Sequence, residues 1–249
     1  MTVDFKVVIP ARYDSSRLPG KPLRLIQGKP MICWVIEAAQ ASAATEVLVA
    51  TDDERIIDAV NGYKVTACLT SIDHQTGSDR IVEAAELQGW SDDTIIVNLQ
   101  GDEPLMPAVN LTQVANNLQQ SGFEMATLYK LIDQDQAVDP NQVKLVRDKS
   151  GRALYFSRSN IPFQRNLNNS AVFGHIGLYA YRVGFLKQFA KYQPCELEKI
   201  EGLEQLRALY YGCNIHTDLA VATPGRGVDT LDDLIAVSEQ LARSRSDLG

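Results

Sequence analysis

The chain has 249 residues, of which 45% are hydrophobic, enough for one domain with a substantial core. Its formal net charge of -7 argues against a general nucleic-acid binder, which would be basic. The four cysteines, Cys33, Cys68, Cys195 and Cys213, form no CxxC pair, which disfavours a zinc site and suits a reducing compartment.

In chain order, residues 5–9 form a short apolar strand, and no signal-peptide core accompanies Asp4. Helical spacing follows over 31–42, with Met31, Val35, Ala38 and Ala39 on one face. Residues 46–51 read as a strand, and Asp52-Asp53-Glu54 then opens a helix carrying Ile56, Ile57 and Val60. A third strand spans 65–69, a helix 78–88, a fourth strand 94–99 and a helix 108–120. Four apolar strands alternating with helices predict a doubly wound α/β sheet, with ligand beyond the carboxyl ends of its strands.

After residue 122 the rhythm becomes α+β. Strands are expected over 125–131, 143–146, 153–156, 173–182 and 215–222, and helices over 183–191, 197–211 and 231–244. We divide one domain, 1–249, into a doubly wound part (1–122), an α+β part (123–230) that could supply an acceptor pocket, a dimer surface or both, and a closing helix with tail (231–249). No stretch is long and apolar enough to cross a bilayer, so a soluble cytoplasmic protein is expected.

The segment from Val7 to Pro22 carries the densest chemistry. The apolar run ends at Pro10, and a loop with Ser15, Ser16 and Gly20 follows, holding Arg12, Arg17 and Lys21. Small residues admit a ligand to the backbone, and the cations match a polyphosphate. The loop is neither a Walker A motif nor GxGxxG. Asp102 follows the fourth strand, where an acid can hold a hard cation against phosphates. Thr230 and Asp233 resemble a capping box, leaving Asp229 available as a second carboxylate for that cation. Loop 73–80 carries polar groups sized for a nucleobase edge, and Ser78 reads as a helix cap. Arg158, Arg165, His175, Tyr179, Glu204 and Gln205 are isolated polar residues in apolar surroundings of the second half.

Together these segments closely resemble the CMP-Kdo synthetases, the 3-deoxy-manno-octulosonate cytidylyltransferases. The resemblance runs from Val7 to about Leu241. It rests on IPARYDSSRLPGKPL (9–23), GKPMI (28–32), VATDDERI (49–56), HQTGSDR (74–80), VNLQGDEPLMP (97–107), ALYFSRSNIPF (153–163), GHIGLYAYR (174–182), LEQLRAL (203–209) and GVDTLDDL (227–234). The first block alone marks a wider nucleotidyltransferase group. The later blocks point to the Kdo branch rather than to the related CMP-sialic acid synthetases.

The resemblance implies a nucleotide-diphospho-sugar-transferase-like α/β fold, a Rossmann-like mostly parallel sheet flanked by helices, in a homodimer. It implies CTP + Kdo → CMP-Kdo + diphosphate, with Mg2+, for lipopolysaccharide core synthesis. Pro10, Ala11, Arg12, Ser16, Lys21, His74, Ser78, Arg80 and Gln100 would bind the nucleotide. Gln100, Arg158, His175, Tyr179, Glu204 and Gln205 would bind the sugar, and Asp102 and Asp229 the metal. Arg12, Lys21 and Asp102 would carry catalysis. Such a reaction needs positioning and charge neutralisation rather than a protein nucleophile, and no Ser-His-Asp pattern is visible.

Two departures bear on the sugar. Gly174 stands where many members have Arg, and the segment between Arg165 and Phe173 is shorter than in some members. They leave open an amino-substituted Kdo or another α-keto sugar acid, such as a sialic acid. A catalytically dead nucleotide-binding module would be expected to lack Lys21, Asp102 or Asp229, and all three are present.

Overall fold

The computed structural model describes residues 3–15, 17–165 and 171–246. Eleven strands appear among them: β1 (Lys6–Ala11), β2 (Leu25–Ile26), β3 (Lys29–Pro30), β4 (Glu46–Thr51), β5 (Thr66–Leu69), β6 (Ile95–Asn98), β7 (Met125–Ile132), β8 (Lys144–Arg147), β9 (Ala153–Ser157), β10 (Val172–Arg182) and β11 (Ile215–Leu219). The helices are α1 (Met31–Gln40), α2 (Glu54–Val60), α3 (Gly77–Leu87), α4 (Ala108–Ser121), α5 (Gln134–Ala137), α6 (Val183–Phe189), α7 (Glu196–Glu201), α8 (Gln205–Tyr210) and α9 (Leu231–Ser246). No helix among the described residues is long and apolar enough to cross a membrane.

The main sheet runs β11-β7-β10-β6-β1-β4-β5, with β8 and β9 joined to it through β10. β1 pairs in parallel with both β4 and β6, and β4 with β5. The long β10 then inserts antiparallel between β6 and β7. One continuous sheet therefore spans both halves of the chain. Val7, Val8 and Ile9 of β1 are fully buried, as are Ile96 and Val97 of β6, as expected for central strands covered on both faces. One face packs on α1, α2 and α4 through Val7, Ile9, Val97 and Leu178. The other face, with Val8, Ile96, Tyr129, Phe156 and Tyr181, packs on α3, α6 and α8.

The alternation expected over 1–122 is present, with boundaries shifted by one or two residues at most elements. The helix expected over 197–211 is two helices. Gly202 adopts a left-handed conformation (φ 62°) that caps α7, and α8 restarts at Gln205. The cap expected at Ser78 lies instead at Thr76, which exchanges hydrogen bonds with Asp79 in a capping box. The short β2–β3 pair and α5 had no signal in the apolar periodicity. At the start of α9, Thr230 and Asp233 form the expected reciprocal bonds.

Candidate active site

The carboxyl ends of β1 and β6 open onto one cleft of about 260 Å³. Pro10, Ala11, Arg12, Lys21, His74, Arg80, Gln100, Asp102 and Asp229 all line it, as do Asp14, Ser15, Arg17 and the backbone around Gly77. Ser16 lies outside the described residues. The loops after β1 and β6 meet closely: a Cβ on Gly101 would lie 3.1 Å from the Pro10 carbonyl oxygen. A larger residue there would push the two loops apart.

Lys21 is the centre of the cleft's charge. Its Nζ donates to Asp102 Oδ2 at 2.6 Å, to Asp229 Oδ1 at 3.0 Å and to the Val228 carbonyl at 3.0 Å. Arg17 donates to the same Asp229 oxygen at 2.9 Å. Burial pulls the Lys21 pKa down, but the two carboxylates outweigh it and leave the ammonium above its ordinary value. Asp229 thus comes from far along the chain to the same point as Asp102. Val228 anchors it by donating its backbone N–H to the Asp102 carbonyl at 2.9 Å.

Burial, with Asp102 and Asp229 adding to it, pushes neighbouring Glu103 up to about 8. Lys21 and Arg17 balance the charge of the two aspartates here, and the aspartates offer hard oxygen donors of the kind that would suit a divalent cation such as magnesium. Among the described residues no cluster of three or more His, Cys, Asp or Glu side chains is placed to hold a metal. A cation between Asp102 and Asp229 would complete its shell with phosphate oxygens and water.

One wall of the cleft is built from the start of α3. Arg80 is 3% exposed and donates to Asp52 Oδ2 at 2.7 Å and Thr70 Oγ1 at 2.5 Å. Asp52 also accepts the Tyr13 N–H at 3.2 Å, so it braces the first loop as well. Sequence reasoning read Asp52 only as a helix-opening acid, whereas Asp53 caps α2. The His74 imidazole pairs with Glu83. Ser78 is not part of the cleft wall: it is buried, and its hydroxyl donates to Glu204 Oε2 at 2.9 Å.

That bond leads to a second polar group behind the cleft. Gln100 donates to Asn98 Oδ1 at 3.3 Å, and Asn98 lies opposite Tyr179 across the β6–β10 ladder. Among the described residues, the Tyr179 hydroxyl and the Gln205 Nε2 are buried without hydrogen-bond partners. Buried polar atoms are normally paired, so these two offer unused hydrogen-bonding capacity to a polar ligand. Burial raises the Tyr179 pKa, with Glu204 adding to the effect, and burial also raises that of Glu204. The His175 ring lies 5.4 Å from that of Tyr179. Arg158 is placed differently. Its guanidinium donates to the carbonyls of Glu201 at 2.7 Å and Pro140 at 3.0 Å, fastening β9 to α7. Arg165 is exposed.

The fold and this cleft define a nucleotidyltransferase class, and the chain belongs to the cytidylyltransferase family, whose model matches residues 6–215. Within that family it belongs with the 3-deoxy-manno-octulosonate cytidylyltransferases. It is 50% identical over 248 residues to the enzyme of that name from Vibrio vulnificus (strain CMCP6), covering 96% of this chain and 99% of that one. Its identity to the one from Tolumonas auensis (strain DSM 9187 / NBRC 110442 / TA 4) is 48% over 253 residues, with 98% and 100% coverage. The solved structure of CMP:2-keto-3-deoxy-manno-octonic acid synthetase complexed with CTP superposes with a TM-score of 0.91 at 41% identity, covering 97% of this chain and all of that one. A cytidylyltransferase from Leptospira borgpetersenii shares the fold, with a TM-score of 0.64 at 16% identity over 96% of this chain and 87% of that one.

Proposed function

We infer that the protein transfers CMP from CTP to the anomeric hydroxyl of Kdo, giving CMP-Kdo and diphosphate. The observation that carries this reading is the Lys21 ammonium held between Asp102 and Asp229, at the mouth of a cleft whose CTP-complexed structural neighbour superposes over 97% of the chain. In the reaction the sugar hydroxyl oxygen bonds to the α-phosphorus. The bond from that phosphorus to the bridging oxygen of the β-phosphate breaks, the hydroxyl proton is lost, and diphosphate leaves.

Arg12 and Lys21 are positioned to take up the charge that builds on the departing diphosphate. The 74–80 loop and Arg80 wall the opposite side, where the nucleoside is held. Tyr179, Gln205, Glu204 and His175 present hydrogen-bonding groups of both polarities to a polyhydroxy acid. Asp102 and Asp229 would hold magnesium, which when bound screens the α-phosphate and lowers the pKa of the attacking hydroxyl. The described cysteines are all free, which suits a reducing cytoplasm. We further expect a homodimer, supported by exposed Ile72, Phe163 and Ile200.

The test is a panel of sugar acids, each with CTP and magnesium, read as diphosphate release. Kdo should turn over fastest. An amino-substituted Kdo or a sialic acid turning over while Kdo stays inert would reassign the acceptor, and no release with any of them would sink the reading.

A further inference from the structure

Strand β10 is interrupted where it passes Thr127. Its pairing with β7 runs from Val172 to Ile176, then slips, so that Tyr179 rather than Gly177 lies opposite Thr127. Such a bulge turns backbone carbonyls out of the ladder. The fully buried Thr127 fills it with its hydroxyl, which lies 3.0 Å from the Ile176 carbonyl, 2.8 Å from the Leu178 carbonyl and 3.1 Å from His175 Nε2.

One hydroxyl has one proton and three neighbours, and two of those neighbours can only accept. If the proton went to His175 Nε2, both carbonyl oxygens would face hydroxyl lone pairs in a buried site. The proton therefore goes to a carbonyl, and the imidazole is the donor: Nε2 carries the hydrogen. Nδ1 is then a bare acceptor, and it has no hydrogen-bond partner among the described residues. Burial among Phe156 and Tyr179 holds the ring neutral, with its pKa pushed down to about 3. His175 sits half-buried on the same face of β10 as Tyr179, whose hydroxyl has no partner among the described residues.

We propose that Thr127, seated in the β10 bulge, is a positioning residue that locks His175 as its Nε2–H tautomer, so that Nδ1 accepts a hydrogen bond from a hydroxyl of the sugar acid rather than donating to its carboxylate. The proposal rests on the reading of this side of the molecule as the acceptor pocket. It assigns that pocket a group that selects for a hydrogen-bond donor on the substrate.

The chain has only three histidines, so long-range proton–nitrogen correlation spectra of the 15N-labelled protein resolve the tautomer of each. His175→Gln assigns the signal. We expect an unprotonated Nδ1 and a protonated Nε2 in the free wild type at neutral pH. In Thr127→Val the signal should shift toward a tautomer mixture while KM for Kdo rises about tenfold and KM for CTP changes less than about twofold. Thr127→Ser, which keeps the hydroxyl, should restore both. A wild-type spectrum with Nδ1–H or a charged ring overturns the proposal, whether or not Thr127→Val folds. Unchanged tautomer and KM in Thr127→Val overturn it as well. Failure of Kdo to turn over, with the tautomer as stated, contradicts the functional reading and the hydroxyl half of the proposal but leaves the lock standing.

Discussion

Ser78 and Glu204 are 126 residues apart in the chain and joined by a 2.9 Å hydrogen bond. One stands in the first turn of α3, above the cleft, and the other precedes α8. The bond joins α3 to the start of α8. Because it favours the ionised form of Glu204, removing it should raise the Glu204 pKa further. Ser78→Ala is expected to raise KM for the sugar acid by roughly three- to tenfold while the fold persists. An unchanged KM for the sugar acid would mean that this bond only packs α3 against α8.

Lys21 is the only side chain that touches both Asp102 and Asp229 among the described contacts. Lys21→Met keeps the stem but leaves two carboxylates facing each other. Turnover should fall by about a hundredfold or more. Steady-state kinetics at saturating CTP measure this directly, and a loss confined to KM for CTP would restrict Lys21 to ground-state binding.

Asp229 is half exposed, with 48% of its side chain accessible, so its replacement should not unfold the protein. Asp229→Asn should cut kcat by about a hundredfold or more and raise the magnesium concentration needed for half-maximal rate. Circular dichroism and thermal melting should match the wild type. Wild-type turnover would remove Asp229 from the cation site.

The half-buried His175 makes stability depend on pH. Its folded pKa, about 3, lies below the ordinary 6.5, so the unfolded chain binds more protons between those values. Its contribution is therefore constant above about pH 6.5 and is lost as pH falls from there toward 3. Denaturant melts across that window should show a shallower slope for His175→Gln than for the wild type. Identical slopes would mean that the ring titrates normally in the folded protein.

Gly174 stands where a Cβ would meet Ile132 Cγ2 at 2.7 Å and Gln142 Nε2 at 3.1 Å. The Gln142 amide donates to the Val143 and His175 carbonyls, occupying the space that a side chain at 174 would enter. Gly174→Ala should destabilise by about 1–3 kcal/mol, read as a lowered Tm. An unchanged Tm would show that Ile132 gives way freely. The absence of an arginine here is thus matched by its neighbours.

The residues show which parts of this structure are legible in sequence. Runs such as Glu46–Thr51 and Ile95–Asn98 announce themselves because central parallel strands are apolar on both faces. The clustering of Arg12, Arg17 and Lys21 at a strand end likewise marks the cleft. The insertion of β10 between β6 and β7 is not legible, because strand order depends on partners far apart in the chain. The break at Gly202 hides inside a helical pattern that continues on both sides. Thr127 looks like any strand threonine until the bulge opposite supplies two carbonyls and an imidazole. Arg158 sits in a distinctive block, yet only the fold reveals the carbonyls of Glu201 and Pro140 waiting for it.

The most direct test of the central claim is 31P NMR of the purified protein mixed with CTP, magnesium and Kdo. The three CTP resonances should be lost and one phosphodiester resonance of CMP-Kdo and the diphosphate resonance should appear, with CMP-Kdo and diphosphate in equal molar amounts and nothing released when Kdo is omitted. Diphosphate or phosphate released at the same rate without Kdo, or CTP left intact with it, would contradict the account.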